Sequence, residues 1–503
     1  MSQPEPLSAA KRLVLDGSNL TCGTLVDAIT QKSDISLQTD CWDNVQRGRS
    51  IVDDIVARGI PAYGITTGVG SQKDFVVPQK DLTEYNMRLL QAHATRVPGP
   101  VLSERVVRAV LVIMINEFSL GHSGVSVDLI ETLIAAVNGG NMPEIDASGS
   151  VGASDLVPLA QLAVWLLSQD MGLEGNLPKA KETLSLINHN AVTLSLGAIA
   201  LVELKKLIAL YDLMAAVALE GFRGNTDAVS ALVNSVHGRP GQKAAAARIR
   251  SHLVGSKLLE SGQARFLQDP LSFRALSQVN GAVAEAVERL EEIWNQELNS
   301  VNDNPILDLE SGASFSHANM DTTRLTLVLD TVRQAMGKIA DLSGERIQKL
   351  QWAAFSGLPT GLAEGEGQAM GGVQFLNLGH IASSLITSMK IWAHPHLLIS
   401  VGQLADGVED TSGHALHAVH DLQRQLDTGW KVAALEMSIA VWAIYRRKIP
   451  VDDLGQDVRR AYDLFRPLLP IGSEGEKPFD LAKVIEAVKA LADQTCNPEY
   501  MTR

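Results

Sequence analysis

The stretch Gly149–Ala163, GSVGASDLVPLAQLA, joins a loop of small residues to the start of an apolar helix. Ser154 or Asp155 can cap that helix, and Pro158 falls in its first turn, where proline is tolerated. A loop at the positive end of a helix dipole suits an electrophile or an anion. An ordinary capped helix is the alternative that these residues alone leave open.

The composition describes a globular protein that binds neither nucleic acid nor membrane. The 503 residues are 46% hydrophobic and 20% charged, and their net charge of -14 argues against a polyanionic partner. Cys22, Cys41 and Cys496 are too few and too scattered for a disulfide framework or a zinc site. The N-terminus does not resemble a secretory signal, and no apolar stretch has the length of a membrane span. We therefore expect a cytoplasmic protein without a metal.

Helical periodicity dominates the chain. A short strand and turn are expected near Leu13–Thr21. The apolar spacing then predicts helices over residues 22–58, 82–93, 106–117, 127–138, 188–219, 279–298, 321–350 and 372–392.

Several polar residues outside the first stretch are candidates for a site, and each has a simpler interpretation. Tyr63 lies in a glycine-rich segment that lacks the Gly-Lys-Ser/Thr of a phosphate loop and is otherwise a structural turn. His93 ends a helix, where a histidine is often a cap. Arg274 suits a carboxylate or an interhelical salt bridge, and Glu409 with Asp410 would usually be solvated surface.

Together these motifs resemble the histidine and phenylalanine ammonia-lyase family. The loop is similar to the family's G-S-V-G-A-S-G-D-L-x-P-L, and Tyr63-Gly64 with Thr67-Gly68 is similar to its Y-G-V-N-T-G-F-G. In the family the Ala-Ser-Gly triad cyclises to 4-methylidene-imidazol-5-one (MIO), an electrophile made from the backbone. The resemblance implies an all-α fold, a bundle of long near-parallel helices with a loop-rich active-site region near the N-terminus. It also implies a small-molecule substrate and a homotetramer with shared active sites.

The resemblance implies the following division and roles. Residues 1–200 would carry the Tyr63 loop and the triad, and residues 201–503 would form the long-helix bundle and the C-terminal helices. Tyr63 aligns with the base that removes the substrate's β-proton, and Arg274 aligns with the arginine that binds its carboxylate. Asn188 matches the asparagine at the amino end. His93 and Glu409 match the histidine-type residues that face an imidazole ring, and Lys390 keeps the family's K-x-x-x-H-P pattern.

The chain departs from the family where the electrophile forms. The triad is Ala153, Ser154 and Asp155, without the glycine whose amide nitrogen attacks the alanine carbonyl in a strained turn. Leu271 replaces a tyrosine, and His189-Asn190 replaces Gly-Thr after Asn188. A second Ala-Ser-Gly, at Ala147–Gly149, is out of register. We therefore expect no MIO group, the alternative being an MIO formed from Ala153-Ser154-Asp155.

The chain keeps the residue that removes the proton, Tyr63, and the residues that face the ring, His93 and Glu409, but it lacks the MIO group that activates the amine. This combination suits a substrate whose nitrogen is already quaternary. Ergothioneine, the trimethylammonium betaine of thiohistidine, meets that requirement, so the chain resembles the ergothionase branch of the family, which releases trimethylamine and leaves thiolurocanate. Glu409, with Lys390 or His93, would protonate or hydrogen-bond the ring so that Tyr63 can act as general base, and Asp155 would face the trimethylammonium group. The alternatives are an MIO-dependent histidine or aromatic ammonia-lyase or aminomutase, and an inactive ligand-binding homologue.

Overall fold

The computed structural model describes residues 11–168, 177–363, 373–469 and 479–495. Helices account for most of these residues, as expected for an all-α protein. In chain order they are α1 (Cys22–Gln31), α2 (Thr39–Ala57), α3 (Leu82–His93), α4 (Glu104–Phe118), α5 (Val127–Gly139), α6 (Leu156–Ser168), α7 (Glu182–Ile187), α8 (Ala191–Phe222), α9 (Ala231–His237), α10 (Pro240–His252), α11 (Leu271–Arg274), α12 (Leu276–Glu297), α13 (Thr323–Gln351), α14 (Ala353–Ser356), α15 (Val373–Ile391), α16 (Ala415–Arg446), α17 (Gln456–Phe465) and α18 (Leu481–Thr495).

The described residues also form two small sheets and several short 3-10 helices. Strand β1 (Arg12–Leu15) pairs in parallel with β2 (Asp34–Leu37), and Arg12 lies opposite Asp34. Strand β3 (Ile306–Leu307) pairs in antiparallel fashion with β4 (Ser314–Phe315). Strand β1 confirms the strand expected near the N-terminus.

The predicted helix over residues 22–58 is wrong, because β2 divides it into α1 and α2. Helix α1 ends where Lys32 adopts the left-handed conformation, with a φ of 50°. The chain then turns, and the backbone N–H of Asp34 donates to the Lys11 carbonyl oxygen at 2.9 Å. The apolar residues of this segment have a helical spacing on both sides of the strand, so periodicity alone did not reveal the break.

Contacts between Cα atoms divide the chain into two compact units. The first unit comprises Met1–Val202, Leu290–Leu329 and Pro395–His420. The second comprises Glu203–Arg289, Asp330–His394 and Asp421–Arg503. The division at residue 200 that the sequence suggests stays a prediction about domains, and two later segments of the chain belong to the first unit.

The core of the first unit lies beneath the segment that carries Tyr63. Every residue of α4 from Val106 to Phe118 is buried. A cluster of buried side chains joins α2 to the residue after Gly64 and to the start of α3: Val52, Ile55, Ile65, Leu82, Ala180 and Leu307. Burial of side chains of this size stabilises the fold by about 1.5–3 kcal/mol each. The Tyr63 loop therefore rests on a fixed apolar base.

Candidate active site

A cavity of about 520 Å³ in the first unit brings together four of the predicted site residues. Its lining includes Tyr63, His93, Asn188 and Glu409. An apolar wall is formed by Leu89, Leu156, Leu184 and Ile187. A concave, largely apolar site with a few convergent polar groups is typical of small-molecule binding.

The loop that carries Tyr63 is held by its own backbone and by a threonine. Thr66 Oγ1 accepts from the Ala62 N–H at 2.9 Å and donates to the Ile60 carbonyl oxygen at 2.6 Å. Gly64 has a φ of 62°, and a Cβ atom there would overlap the Leu184 side chain, so only glycine fits this turn. The Tyr63 hydroxyl oxygen accepts from the Gly70 N–H at 3.1 Å. The backbone around Tyr63 is thus held by Thr66, and the hydroxyl group at the far end of the side chain is held by Gly70.

Helix α3 contributes one face to the cavity, and His93 is the residue of that face that the sequence motifs predict. That face is formed by Tyr85, Arg88, Leu89, Ala92 and His93. Intervals of three and four residues place them on one side of a helix, so counting back from His93 could have found them. Arg88 is exposed and forms an ion pair with Glu84, one turn earlier.

The His93 ring is fixed in one tautomer by its own helix. Its Nδ1 lies 2.8 Å from the Leu89 carbonyl oxygen. A carbonyl oxygen only accepts, so Nδ1 carries the proton. In the neutral ring, Nε2 is then an acceptor. The side chain can therefore receive an N–H from a bound ring.

Glu409 reaches the cavity from a tight turn. The Leu404 N–H donates to the Glu409 carbonyl oxygen at 2.8 Å, and the Glu409 N–H donates to the Leu404 carbonyl oxygen at 3.2 Å. Ala405 and Asp406, inside the turn, have φ values of 49° and 55°. Within the part of the chain that the structure describes, the Glu409 carboxylate has no hydrogen-bond or ion-pair partner, so it is available to a ligand.

The degenerate triad lies in a bent loop next to the cavity. Ser154 has a φ of 71°. Its hydroxyl donates to Asn188 Oδ1 at 2.7 Å, and its carbonyl oxygen accepts from Ser150 Oγ at 2.9 Å. Gly152 has a φ of 87°, and a Cβ atom at this position would lie 2.5 Å from the backbone nitrogen of His414, so the close approach of the two segments requires glycine. Ala153 forms an isolated antiparallel bridge with Asp321.

Asp155 is fully buried and is not among the residues that line the cavity. Its backbone N–H donates to the His189 carbonyl oxygen at 2.9 Å. Its carboxylate accepts from the Thr193 N–H at 2.8 Å and from Thr193 Oγ1 at 2.9 Å. Burial raises the pKa of this carboxyl, and the bonds from Thr193 oppose that shift. The geometry therefore favours a capping role at the start of α8 over the expected contact with a substrate ammonium group.

Asn188 rests on a buried polar turn. Its Nδ2 donates to the Asn304 carbonyl oxygen at 3.1 Å. Behind this turn, the Asn302 and Asp303 N–H groups donate to Glu117 Oε1 at 2.8 and 3.0 Å. Burial, with the Asp303 charge adding to it, raises the pKa of Glu117 to about 8 against the opposition of these two bonds. The Asn188 amide is thus held in one orientation, with its oxygen towards Ser154.

Two charged groups flank that turn with little access to solvent. Lys181 Nζ lies 2.5 Å from Asp303 Oδ2, and both side chains are fully buried. Lys181 also donates to Ser185 Oγ at 3.0 Å. Nearby, burial lowers the pKa of His189 to about 3, so that this ring is neutral at ordinary pH. The ion pair fixes α7, which precedes Asn188, to the turn.

The other Ala-Ser-Gly sequence lies apart from the cavity lining. The Ala147 N–H donates to the Pro100 carbonyl oxygen at 2.9 Å, whereas Ser148 and Gly149 are exposed. None of the three lines the cavity.

Arg274 and Lys390 belong to the second unit. Arg274 Nε donates to the Asp269 carbonyl oxygen at 2.6 Å, and its two Nη atoms lie 3.1 Å from the side-chain oxygen of Gln268 when that amide is turned towards them. Lys390 Nζ lies 2.5 Å from Asp341 Oδ1, beside a second cavity of about 270 Å³. Their roles at a substrate stay predictions.

Residues 11–168, 177–363, 373–469 and 479–495 contain no group of three or more His, Cys, Asp or Glu side chains placed to hold a metal ion. None of the helices in those ranges combines the length and apolarity that crossing a bilayer requires. Cys22 and Cys41 are buried and are not joined in a disulfide, and Cys496 lies outside the described residues.

Comparison with known proteins agrees with the geometry. The family described as aromatic amino acid lyase matches residues 20–467. A histidine ammonia-lyase of Caldanaerobacter subterraneus is 30% identical over 500 residues, which cover 95% of this chain and 97% of that protein. The ergothioneine-degrading enzyme ergothionase of Treponema denticola, in complex with desmethyl-ergothioneine sulfonic acid, superposes with a TM-score of 0.88 at 27% identity, covering 96% of this chain and 99% of the other. A tyrosine aminomutase of Streptomyces globisporus gives a TM-score of 0.86 at 26% identity, covering 96% and 97%.

Proposed function

This chain belongs to the aromatic amino acid lyase family, and from that premise we propose that it eliminates trimethylamine from ergothioneine, without an MIO group. The products are trimethylamine and thiolurocanate. Membership makes the chain a lyase of the ammonia-lyase type, and the choice of amine is the step that the proposal adds. The likeness to ergothionase supports that choice.

One observation carries the proposal: the Asp155 N–H is bonded to the His189 carbonyl oxygen at 2.9 Å. To form an MIO, the nitrogen of the triad's third residue must attack the Ala153 carbonyl carbon. Here that N–H is buried and engaged, and the Asp155 side chain is fixed by Thr193. These contacts count against an MIO group at Ala153-Ser154-Asp155 and support the proposal. A lyase without an electrophile needs an amine that is already activated, and a quaternary nitrogen is so because it carries a permanent positive charge and departs as neutral trimethylamine.

The cavity supports an imidazole-type ring. His93 Nε2 is an acceptor for a ring N–H, and the free Glu409 carboxylate offers a second polar contact. We assign Glu409, with Lys390, to protonating or hydrogen-bonding the thione ring, which acidifies the hydrogen on the adjacent side-chain carbon, and we assign His93 to holding the ring by accepting its N–H. Arg274 is assigned to the substrate carboxylate, for which its planar fork is suited. Asn188, held by Ser154 and Asn304, is assigned to the amine side.

The elimination then balances without a further reactant. Tyr63 Oη accepts the β-proton, and the electrons of that C–H bond form the double bond between Cα and Cβ. The bond between Cα and nitrogen breaks, and its electron pair leaves with trimethylamine. Arg274 and Lys390 are not among the residues that line the cavity, and we propose that neighbouring subunits of a homotetramer supply these two side chains.

The competing function is an MIO-dependent histidine ammonia-lyase or aromatic aminomutase. The relatives at about 30% identity favour it, as does the bent backbone at Ser154, whose φ is 71°. In that case histidine would release ammonia, and the protein would have lost two water molecules in forming the group. An inactive ligand-binding homologue would release neither amine.

Replacing the base tests the proposal. Tyr63→Phe keeps the ring and removes the proton acceptor, so we expect turnover of ergothioneine to fall by about 10²- to 10⁴-fold. Tyr445→Phe, a phenol outside the cavity lining, is the matched control and should retain full turnover. Product is followed by the ultraviolet absorbance of the new conjugated double bond. Equal rates for the two variants would contradict the assignment of Tyr63.

A further inference from the structure

Two consecutive backbone amides in the wall of the cavity each bind a phenol. The Gly70 N–H donates to Tyr63 Oη at 3.1 Å, and the Val69 N–H donates to Tyr85 Oη at 3.2 Å. Both tyrosines line the cavity. The two rings come from different elements, because Tyr63 lies in the loop before the amides and Tyr85 lies on α3.

The hydroxyl of Tyr85 connects α3 to the loop. The segment between Gly68 and Val77 holds its shape through its own backbone bonds, from Gly68 N to the Phe75 carbonyl oxygen at 2.9 Å and from Val77 N to the Thr66 carbonyl oxygen at 2.8 Å. The side chains from Ser71 to Val76 are all exposed, and the backbone turn at Gly70–Gln72 lies against the turn at Ala405–Gly407. The bond from Val69 to Tyr85 therefore links the start of this segment, directly before the Gly70 amide, to helix α3.

We propose that Tyr85 is a positioning residue for the base Tyr63, because it fixes the peptide segment whose next amide binds the Tyr63 oxygen. The inference rests on the proposed function in one respect, namely that Tyr63 is the base. An N–H donor favours the phenolate over the phenol, since a negative oxygen is the stronger acceptor. Holding the Gly70 amide in place thus favours the form of Tyr63 that accepts a proton.

The environment of Tyr85 favours its neutral form. Burial raises the pKa of Tyr85, the Val69 bond opposes this, and the nearby Tyr63 adds to it. The net upward shift favours the neutral phenol form of Tyr85. The other titratable groups that line the cavity are Arg88 and His93 from α3 and Glu409 from the turn at 404–409. Because they are unchanged in a Tyr85 variant, a shift in the pH profile reports on the loop.

Tyr85→Phe tests this role, since it keeps the ring and removes only the hydroxyl. With ergothioneine we expect kcat to fall about tenfold while KM changes by less than about twofold. The apparent pKa on the acid side of the kcat–pH profile should rise by about one unit. A shift of this size corresponds to the free energy of about one hydrogen bond. A Tyr63→Phe/Tyr85→Phe double variant should be no slower than Tyr63→Phe alone.

A second measurement does not depend on turnover. Titration of tyrosinate absorbance in the wild type and in Tyr63→Phe gives the ionisation of Tyr63 by difference, and the same pair in the Tyr85→Phe background gives it without the hydroxyl. We expect Tyr63 to ionise at higher pH in that background. An unchanged titration in a variant with wild-type thermal stability would overturn the inference. If the wild-type protein does not turn over ergothioneine, the proposed function is refuted, but the titration still tests the link between Tyr85 and Tyr63.

Discussion

The backbone N–H of Asp155 donates to the carbonyl oxygen of His189 over 2.9 Å. In the same residue, the carboxylate accepts two hydrogen bonds from Thr193 at the start of α8. Asp155 stands at the third position of the triad, whose nitrogen would close the MIO ring. Its hydrogen bonds instead connect the loop to the residues at the start of α8. In the proposed function, the chemistry of the site is assigned to residues that line the cavity, namely Tyr63, His93 and Glu409.

The first prediction concerns the mass of the intact protein. Because the Asp155 nitrogen is engaged, the purified chain should have the mass of its encoded sequence. Intact-mass spectrometry of the denatured protein measures this directly. A species lighter by two water molecules would show that the triad cyclises.

The second prediction concerns the buried carboxylate of Asp155. Asp155→Ala leaves the N–H and hydroxyl of Thr193 without their acceptors, so we expect a loss of stability of about 1–3 kcal/mol. Asp155→Asn keeps one acceptor and should cost less. Thermal and denaturant unfolding of both variants check the order. If the alanine variant were as stable as the wild type, Thr193 would not depend on this cap.

The third prediction separates Glu409 from its neighbour in the same turn. Glu409→Gln keeps the shape of the side chain and removes its charge, and should lower kcat by about 10²- to 10⁴-fold, as expected for an acid or base in the reaction. Asp406→Asn is the control, because Asp406 is exposed and does not line the cavity. Similar losses in both variants would indicate damage to the turn rather than a role for the Glu409 carboxylate.

The fourth prediction concerns the pH dependence of stability. The pKa of Glu117 rises from 4.5 to about 8 in the folded protein, so between these values the folded state keeps a proton that the unfolded chain releases. Its contribution is present in full below pH 4.5 and is lost as the pH rises towards 8. Glu117→Gln keeps an acceptor for the Asn302 and Asp303 amides. The thermal midpoint of this variant should fall less over that range than that of the wild type, and equal slopes would contradict the account.

The sequence predicted most of the long helices and four of the residues that the cavity brings together. Helix α3 begins and ends where its apolar spacing indicates, and Tyr63, His93, Asn188 and Glu409 meet although they are far apart in the chain. Each sequence motif identifies one of these residues and says nothing about which of the others lies near it. The resemblance to a family then supplied the expectation that they lie together.

The sequence could not show what only the folded contacts decide. The partner of Asp155 is Thr193, and no local pattern joins these two residues. Strand β2 interrupts a helical spacing because it pairs with β1, which is a tertiary contact. Tyr85 and Arg88 were missed for a different reason: their helical spacing from His93 was visible, but nothing in the sequence says which face of α3 meets a cavity.

The central claim is tested most directly by identifying the amine that the protein releases. The purified protein is incubated separately with ergothioneine and with L-histidine, and each volatile product is identified by mass spectrometry. The account predicts trimethylamine from ergothioneine and no ammonia from histidine. Ammonia from histidine would contradict it, because that product would mean that Ala153-Ser154-Asp155, or the sequence before it, still forms the electrophile.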